Sequence, residues 1–399
     1  MRIAYISFEF PPDTTFGGIA TYVDQAARIM TKKGHDVEVF TSSPSRNITE
    51  DLDGFKIHRI LTQDRKNFNQ EILSIFEERF NTKAFDLIES PEFSADGLAI
   101  KKQLPSLPLV VKLHTPWFLI DRINFSYLTP LNKIRYLLSG WVRGKFYKPF
   151  WKEKKKSTDP DYQITQLAQQ VHSPSVDLGN IVSRHWMLPR NRIITVPYPY
   201  IPSPALTDID IQNETGIVTY VGRLEIRKGL VELARAIKII LKHKPHTRFR
   251  FVGSVQESHK PGLNMKEYLK VELRNHLDNL SFMKVAANEI PNVYKETDIC
   301  VFPSIWENFP NVCLEAMSAG RAIVAGKNGG MYDMLNDCNG GILIDPLKPR
   351  EIAAAVIKLL DNKKLRVEMG TNARNKILTV YNQDQIGELM EYHYKQLLK

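Results

Sequence analysis

Cysteine is scarce in this chain: Cys300, Cys313 and Cys338 are the only three in 399 residues. None forms a C-x-x-C pair, and no histidine pair stands near them at zinc spacing. A disulfide scaffold and a small zinc module are therefore excluded, and three buried free thiols in a reducing, intracellular compartment are expected. Long apolar runs are missing as well. No window approaches the ~18 apolar residues that a membrane span requires. The opening MRIAYISFEFPP is not a signal peptide, because Glu9 and two prolines break the apolar run too early. The expected location is cytoplasmic, with peripheral attachment to the inner face of the membrane kept open. Acidic residues are also in deficit, 44 against 54 lysines and arginines, for a net charge of +10. That balance favours anionic partners such as nucleotides, phosphorylated substrates, nucleic acid or an anionic membrane surface.

What remains is an ordinary folded composition, 43% apolar and 25% charged. Single cores stop growing near ~250–300 residues, so two domains are the default at this length. Short apolar runs alternate with helix-period segments. RIAYIS (2–7), DVEVFT (36–41), DLIES (86–90), LVVKLH (109–114) and IITV (193–196) read as strands. VPYPYIPSP (196–204) then carries four prolines in nine residues and reads as a semi-rigid linker. The alternation restarts with GIVTYVG (216–222), RFRFVG (248–253), SFMKV (281–285), DICVFPS (298–304), AIVAG (322–326) and GILID (341–345). Such alternation implies two α/β domains, each a doubly wound parallel sheet. The expected division is 1–200 and 201–382. A C-terminal helix, 383–399, is free to pack on either half and is set here against the first.

Ligands of such sheets lie outside the carboxyl ends of the strands. Three loops there stand out. Phe16-Gly17-Gly18 follows the first strand and opens a helix, where backbone amides favour an anion. It is not G-x-G-x-x-G, so a dinucleotide fingerprint is not supported. VGRLEIRKGL (221–230) places Arg223 and Lys228 in one strand-to-helix loop, a planar fork and a point charge suited to a diphosphate. SIWENFPNVCLEAMSAG (304–320) holds two carboxylates, Glu307 and Glu315, divided by Pro310. Two carboxylates invite a glycosidase reading. Pro310 suits the first turn of a helix and Gly320 its stop, so Glu307 falls in a loop and Glu315 in the second helical turn. Eight residues of helix would separate two carboxylates by ~12 Å, longer than either glycosidase geometry. An anion-seeking helix start between two hydroxyl-accepting carboxylates is a holding arrangement.

With these residues in place, the chain resembles the family 4 retaining, nucleotide-sugar-dependent glycosyltransferases of GT-B architecture over nearly its whole length. The anchors are FGGIATY (16–22), VGRLEIRKG, the E-x7-E segment from Glu307 to Glu315, and AGKNGG (325–330). The resemblance implies that Glu315 binds the ribose hydroxyls and Glu307 the donor sugar. It implies that Arg223 and Lys228 grip the diphosphate, with Gly17 and Gly18 approaching by backbone. His114, in VVKLHTPW, would lie beside the donor sugar. Asn308, Phe309, Pro310, Asn311 and Val312 complete the donor-binding stretch. Where many members have E-G-F-G, this chain has Glu307-Asn308-Phe309-Pro310, and Pro310 offers no N–H.

The expected activity is a metal-independent hexosyltransferase with no cofactor. A nucleoside diphosphate sugar, UDP-glucose by preference, is the donor, and a saccharide or lipid-linked hydroxyl in polysaccharide, glycolipid or exopolysaccharide synthesis is the acceptor. Glu89 and Glu92, in IESPEF after a first-half strand, are candidate acceptor contacts. No metal ligands are assigned. The tripeptides Asp51-Leu52-Asp53, Asp159-Pro160-Asp161 and Asp208-Ile209-Asp210 read as turns or solvated loops rather than a metal-holding Asp-x-Asp. The segment 141–157 carries seven basic residues and five aromatics, which suits an anionic membrane surface. The rival readings are a glycoside hydrolase, a nucleotide-sugar epimerase, and a nucleic-acid-binding protein. The last lacks any recognisable nucleic-acid module, so no nucleic-acid partner is expected.

Overall fold

The computed structural model describes residues 1–14, 17–126, 134, 137–139, 141, 155–212 and 214–399. Phe16 and residues 142–154 of the basic–aromatic segment lie outside the described residues. The chain divides into two compact units. The first comprises Met1–Pro174, Leu178–Val196 and Leu389–Lys399, and the second Ser175–Asp177 and Pro197–Glu388. The passage between them falls at Val196/Pro197, ahead of the expected 200/201, and the returning segment begins at Leu389.

The first unit is built on an eight-stranded sheet. Its strands are β1 (Arg2–Ile6), β2 (Asp36–Ser43), β3 (Ile48–Leu52), β4 (Phe55–Leu61), β5 (Leu87–Pro91), β6 (Leu109–Lys112), β7 (Gln170–Ser173) and β8 (Ile193–Thr195). Their order is β3-β4-β2-β1-β5-β6-β7-β8. Every pairing is parallel except β3 with β4. That hairpin was not expected from the alternation. It turns on Asp53 and Gly54, both at positive φ (50° and 91°), the backbone that an Asp-Gly pair supplies in a two-residue hairpin.

The second unit holds a six-stranded sheet of β9 (Ile217–Val221), β10 (Arg248–Val252), β11 (Leu280–Met283), β12 (Ile299–Phe302), β13 (Ala322–Gly326) and β14 (Gly341–Ile344). Its order is β11-β10-β9-β12-β13-β14, parallel throughout. β1 and β9 are buried at every residue, as strands covered on both faces must be. The helix Leu230–His243 shows why the layers adhere. Leu230, Leu233, Ile237 and Ile240 recur on one face and are fully buried against the sheet. Each such large side chain contributes about 1.5–3 kcal/mol of gross burial.

Strand order fixes where a ligand can sit. In the first unit the winding reverses between β1 and β5, and in the second between β9 and β12. The crevice opens at such reversals, above the carboxyl ends of the strands. The loops that leave β9 and β12 are those carrying Arg223, Lys228 and Glu307. The proline-rich stretch after Val196 is less free than a linker. Tyr198 and Tyr200 are buried in the second unit, and a short helix, Pro204–Thr207, follows.

Candidate active site

In the second unit the two loops at the reversal lean on each other. Ile305 N donates to the Arg227 carbonyl at 3.1 Å. The Lys228 ammonium donates to the Glu307 carboxylate in an ion pair with little solvent access. Burial works to raise the Glu307 carboxyl, but the charges of Lys228 and Arg227 and the Lys228 hydrogen bond overcome it, and the net shift is downward. Burial likewise lowers the Lys228 ammonium, and Glu307 offsets only part of that. Arg223 is different. Its side chain is 54% exposed and reaches Glu225 at 3.5 Å, while Arg227 holds the same carboxylate at 2.9 Å.

Two glycines show how tightly the loops are drawn. Gly229 sits at φ 73°, and a Cβ there would meet the Pro303 carbonyl oxygen at 1.8 Å. Gly330, in the AGKNGG loop, donates its N–H to the Glu307 carbonyl at 2.9 Å, and a Cβ there would lie 1.6 Å from the Asn308 carbonyl oxygen. Side chains at either position would push the Glu307 loop away.

The helix Asn311–Ser318 starts on Pro310, which supplies no side-chain cap, and it carries no acid in its first turn. Its first amides, near Asn311 and Val312, keep the partial positive charge of a helix start. Glu315 lies one turn on. The Tyr294 hydroxyl donates to its Oε2 at 3.2 Å and also lies 3.0 Å from the Val312 carbonyl oxygen. Burial pushes the Glu315 carboxyl up to about 7, and the Tyr294 hydrogen bond opposes this only in part. Loop Glu307 and helical Glu315 thus have opposite electrostatic characters, one ionised by a cation and one held near neutrality by burial. Gly320, at φ 61°, ends the segment.

The side chains of Asn308 and Phe309 are engaged within the second unit. Asn308 Nδ2 donates to the Tyr198 hydroxyl at 3.2 Å, and Ser175 Oγ donates to Asn308 Oδ1 at 3.2 Å. Phe309 packs edge-on against Tyr198 and Tyr381. These contacts hold the shape of the loop.

In the first unit, Gly17 and Gly18 are exposed. The helix Gly18–Lys32 begins there without a side-chain cap, and a Cβ on either glycine would meet nothing within 4 Å. His114, two residues beyond β6, is 7% exposed and packs edge-on against Tyr22 with ring centroids 5.4 Å apart. Burial, reinforced by the Lys112 and Arg65 charges, holds its imidazole well below the usual range, so it is neutral at physiological pH.

Glu89 and Glu92 correct the expectation of acceptor contacts, because both carboxylates are interior. Glu92 is fully buried and accepts the His114 N–H at 2.8 Å. Burial, with the Asp161 charge added, raises its pKa well above the ordinary carboxylate value. Glu89 is 2% exposed and accepts from the Tyr22 hydroxyl at 2.6 Å and from the Tyr394 hydroxyl. A strand-end glutamate reads the same in sequence whether it turns in or out. Asp159-Pro160-Asp161 is likewise not a solvated turn. Asp159 caps the helix Pro160–Leu167, and buried Asp161 accepts the N–H groups of Ser94 and Trp117, each at 2.9 Å. Among the described residues no cluster of three histidine, cysteine or acidic side chains comes together as a metal site. Among them, too, no helix is long and apolar enough to cross a membrane.

Tyr294, Glu225 and Arg227 are site neighbours that the sequence reading passed over. Arg227 and Glu225 stood inside the quoted loop and were legible as charges. Tyr294 lies outside every motif, in IPNVYK, and no spacing signals it.

The family model "Glycosyltransferase Family 4" matches residues 16–200, and "Glycosyl transferases group 1" matches residues 207–376. A D-inositol 3-phosphate glycosyltransferase of Corynebacterium glutamicum is 30% identical over 400 aligned residues, covering 94% of this chain and 91% of that one. Among solved structures, a sucrose-phosphate synthase from Thermosynechococcus elongatus superposes with a TM-score of 0.73 at 21% identity, covering 99% of this chain and 98% of that one. Anabaena HepE in complex with UDP-glucose superposes with a TM-score of 0.64 at 15% identity, covering 99% of this chain and all of that one.

Proposed function

The chain belongs to the family 4 glycosyltransferases of GT-B architecture, and from that premise we propose that it is a retaining hexosyltransferase using a nucleoside diphosphate sugar, UDP-glucose first. The observation that carries this reading is the Lys228–Glu307 pair at the strand reversal of the second sheet, four residues ahead of an uncapped helix start that leads to Glu315. Lys228 and Arg223 grip the diphosphate, Glu307 orients the sugar and Glu315 takes the ribose hydroxyls. UDP-glucose is preferred because HepE is seen with that donor. The acceptor is a saccharide or lipid-linked hydroxyl, and the product enters polysaccharide, glycolipid or exopolysaccharide synthesis. Attachment to an anionic membrane through 141–157 remains part of the proposal, and flotation with anionic vesicles tests it.

The difficult step is departure of the diphosphate as its negative charge grows. Lys228, Arg223 and the first amides of the helix Asn311–Ser318 meet that charge. The uncapped amides at Gly17 and Gly18 are assigned the same task, and the neutral His114 a hydrogen bond to the sugar. The leaving phosphate takes the acceptor proton, so neither glutamate acts as a nucleophile. The cation does the work that a divalent metal does elsewhere, and turnover is therefore independent of metal.

UDP released from UDP-glucose at an unchanged rate in excess EDTA is the expected result. Loss in EDTA restored by magnesium contradicts metal independence. Cleavage of an aryl glycoside without nucleotide would instead establish a hydrolase. The anomeric signal of the product by NMR is expected to keep the donor configuration.

Gly18→Ala isolates the backbone approach. The added methyl meets no protein atom, and alanine is the better helix former, so the melting temperature should stay level or rise. Turnover should fall about tenfold or more, because a misplacement near 1 Å is enough to do so. Wild-type turnover in this variant removes Gly18 from the donor site.

A further inference from the structure

A buried polar chain in the first unit joins His114 to Val196, where the polypeptide leaves that unit for the long second-unit segment, and to the segment Leu389–Lys399, where it returns. Tyr394 belongs to the returning segment, and its hydroxyl donates to Glu89. The other oxygen of Glu89 accepts from Tyr22, which lies one turn after Gly18 and whose ring faces His114. Lys112 stands beside them, its ammonium 4.8 Å from the centre of the Tyr22 ring. The same ammonium donates to the carbonyl of Val196, the last residue before the chain passes into the second unit, at 2.5 Å. None of these four side chains exceeds 2% exposure. The Tyr5 hydroxyl lies 3.4 Å from that of Tyr394, and His172 stacks on the Tyr394 ring.

We propose that Tyr394, Glu89 and Lys112 are positioning residues that fix Tyr22, and through it the His114 ring and the start of the helix Gly18–Lys32. The inference rests on the reading of His114 and Gly18 as donor-facing. Burying a lysine, a carboxylate and two phenols for packing alone is costly, since each must find a partner away from water. An apolar set of the same volume would hold two helices at less expense. What the polar set adds is direction: Glu89 accepts one hydroxyl from each side, so Tyr22 cannot turn without losing a bond to a buried carboxylate. Lys112 fixes the departing strand at the same point. A displacement at Tyr394 therefore reaches Tyr22 through two hydrogen bonds, one at Val196 reaches it through a hydrogen bond and the Lys112 contact with its ring, and both pass to His114 by ring packing.

The test uses the full chain. Tyr394→Phe keeps the ring on His172 and removes one hydroxyl, and Tyr22→Phe removes the other. UDP release from UDP-glucose is expected to fall about tenfold in kcat for each, with KM and UDP affinity unchanged. The double variant is expected to lose little more than the worse single one, because both act through Glu89. In histidine-labelled NMR spectra the His114 ring signal should move in Tyr394→Phe while that of His58 stays. An unmoved His114 signal, or losses that multiply in the double variant, overturns the inference. Absence of UDP release from wild type would strike the donor assignment instead, and the His114 signal would still decide this one.

Discussion

Lys228→Ala is expected to lower kcat by about 10²–10³-fold, the usual cost of removing one charge-stabilising donor from an enclosed site. The size follows from where the ammonium stands. It is half-buried beside Glu307, not spread over the surface, so water replaces it poorly when it is removed. The substitution also strips a buried carboxylate of its partner, and breaking such a pair costs about 3–5 kcal/mol when burial is complete. Both side chains here keep 11–14% exposure, so a smaller loss of stability is expected. The two effects separate in Lys228→Ala/Glu307→Gln. Neutralising the orphaned carboxylate should recover the melting temperature and leave turnover low. Recovery of both together would mean that Lys228 serves only the fold. Arg223→Ala should cost less than Lys228→Ala, because its guanidinium is half exposed and holds only a long contact to Glu225.

The second large effect is a pH dependence of donor affinity set by Glu315. Its carboxyl titrates near 7 in the folded protein against an ordinary value of 4.5. Between about pH 4.5 and 7 the native state therefore holds a proton that the unfolded chain releases. Glu315 thus makes the nucleotide-free protein less stable as pH rises through that window. Ribose hydroxyls donate to an ionised carboxylate, so the bound state favours the opposite form. UDP-glucose affinity should rise as pH climbs from 6 to 8, by about tenfold, since one unit below its pKa only about a tenth of the group is ionised. UDP-glucose is the right probe because its diphosphate carries no terminal group that titrates in this range. Glu315→Gln should bind about 10–100-fold more weakly at pH 8 and show a flat profile. A flat profile in wild type would remove the ribose role.

Part of this was open to reading in the residues themselves. The inner strands β9, β12 and β13 stand out as apolar runs because a parallel strand covered on both faces is buried at every position, while β10, RFRFV, shows itself by alternation. The Arg223–Lys228 and Glu307–Glu315 loops were legible because glycine and proline mark the ends of the elements they join. β3 was not, since an edge strand written ITEDL is exposed along most of its length and looks like a loop. Its one signal was Asp53-Gly54. Glu89 and Glu92 were placed on the right strand end and given the wrong surroundings, because nothing local says that Tyr394, 305 residues away, closes over Glu89. Tyr294, hydrogen-bonded to Glu315, was missed for the same reason: the two stand on the successive helices before and after β12, and no local pattern says that these helices meet.

The central claim is that the loops of the second sheet hold a nucleoside diphosphate sugar through Lys228. Calorimetric titration of UDP-glucose in EDTA into wild type and into Lys228→Ala/Glu307→Gln tests it most directly. Binding by wild type and a loss of at least tenfold in the double variant is the predicted result, and equal binding by the two proteins would contradict it.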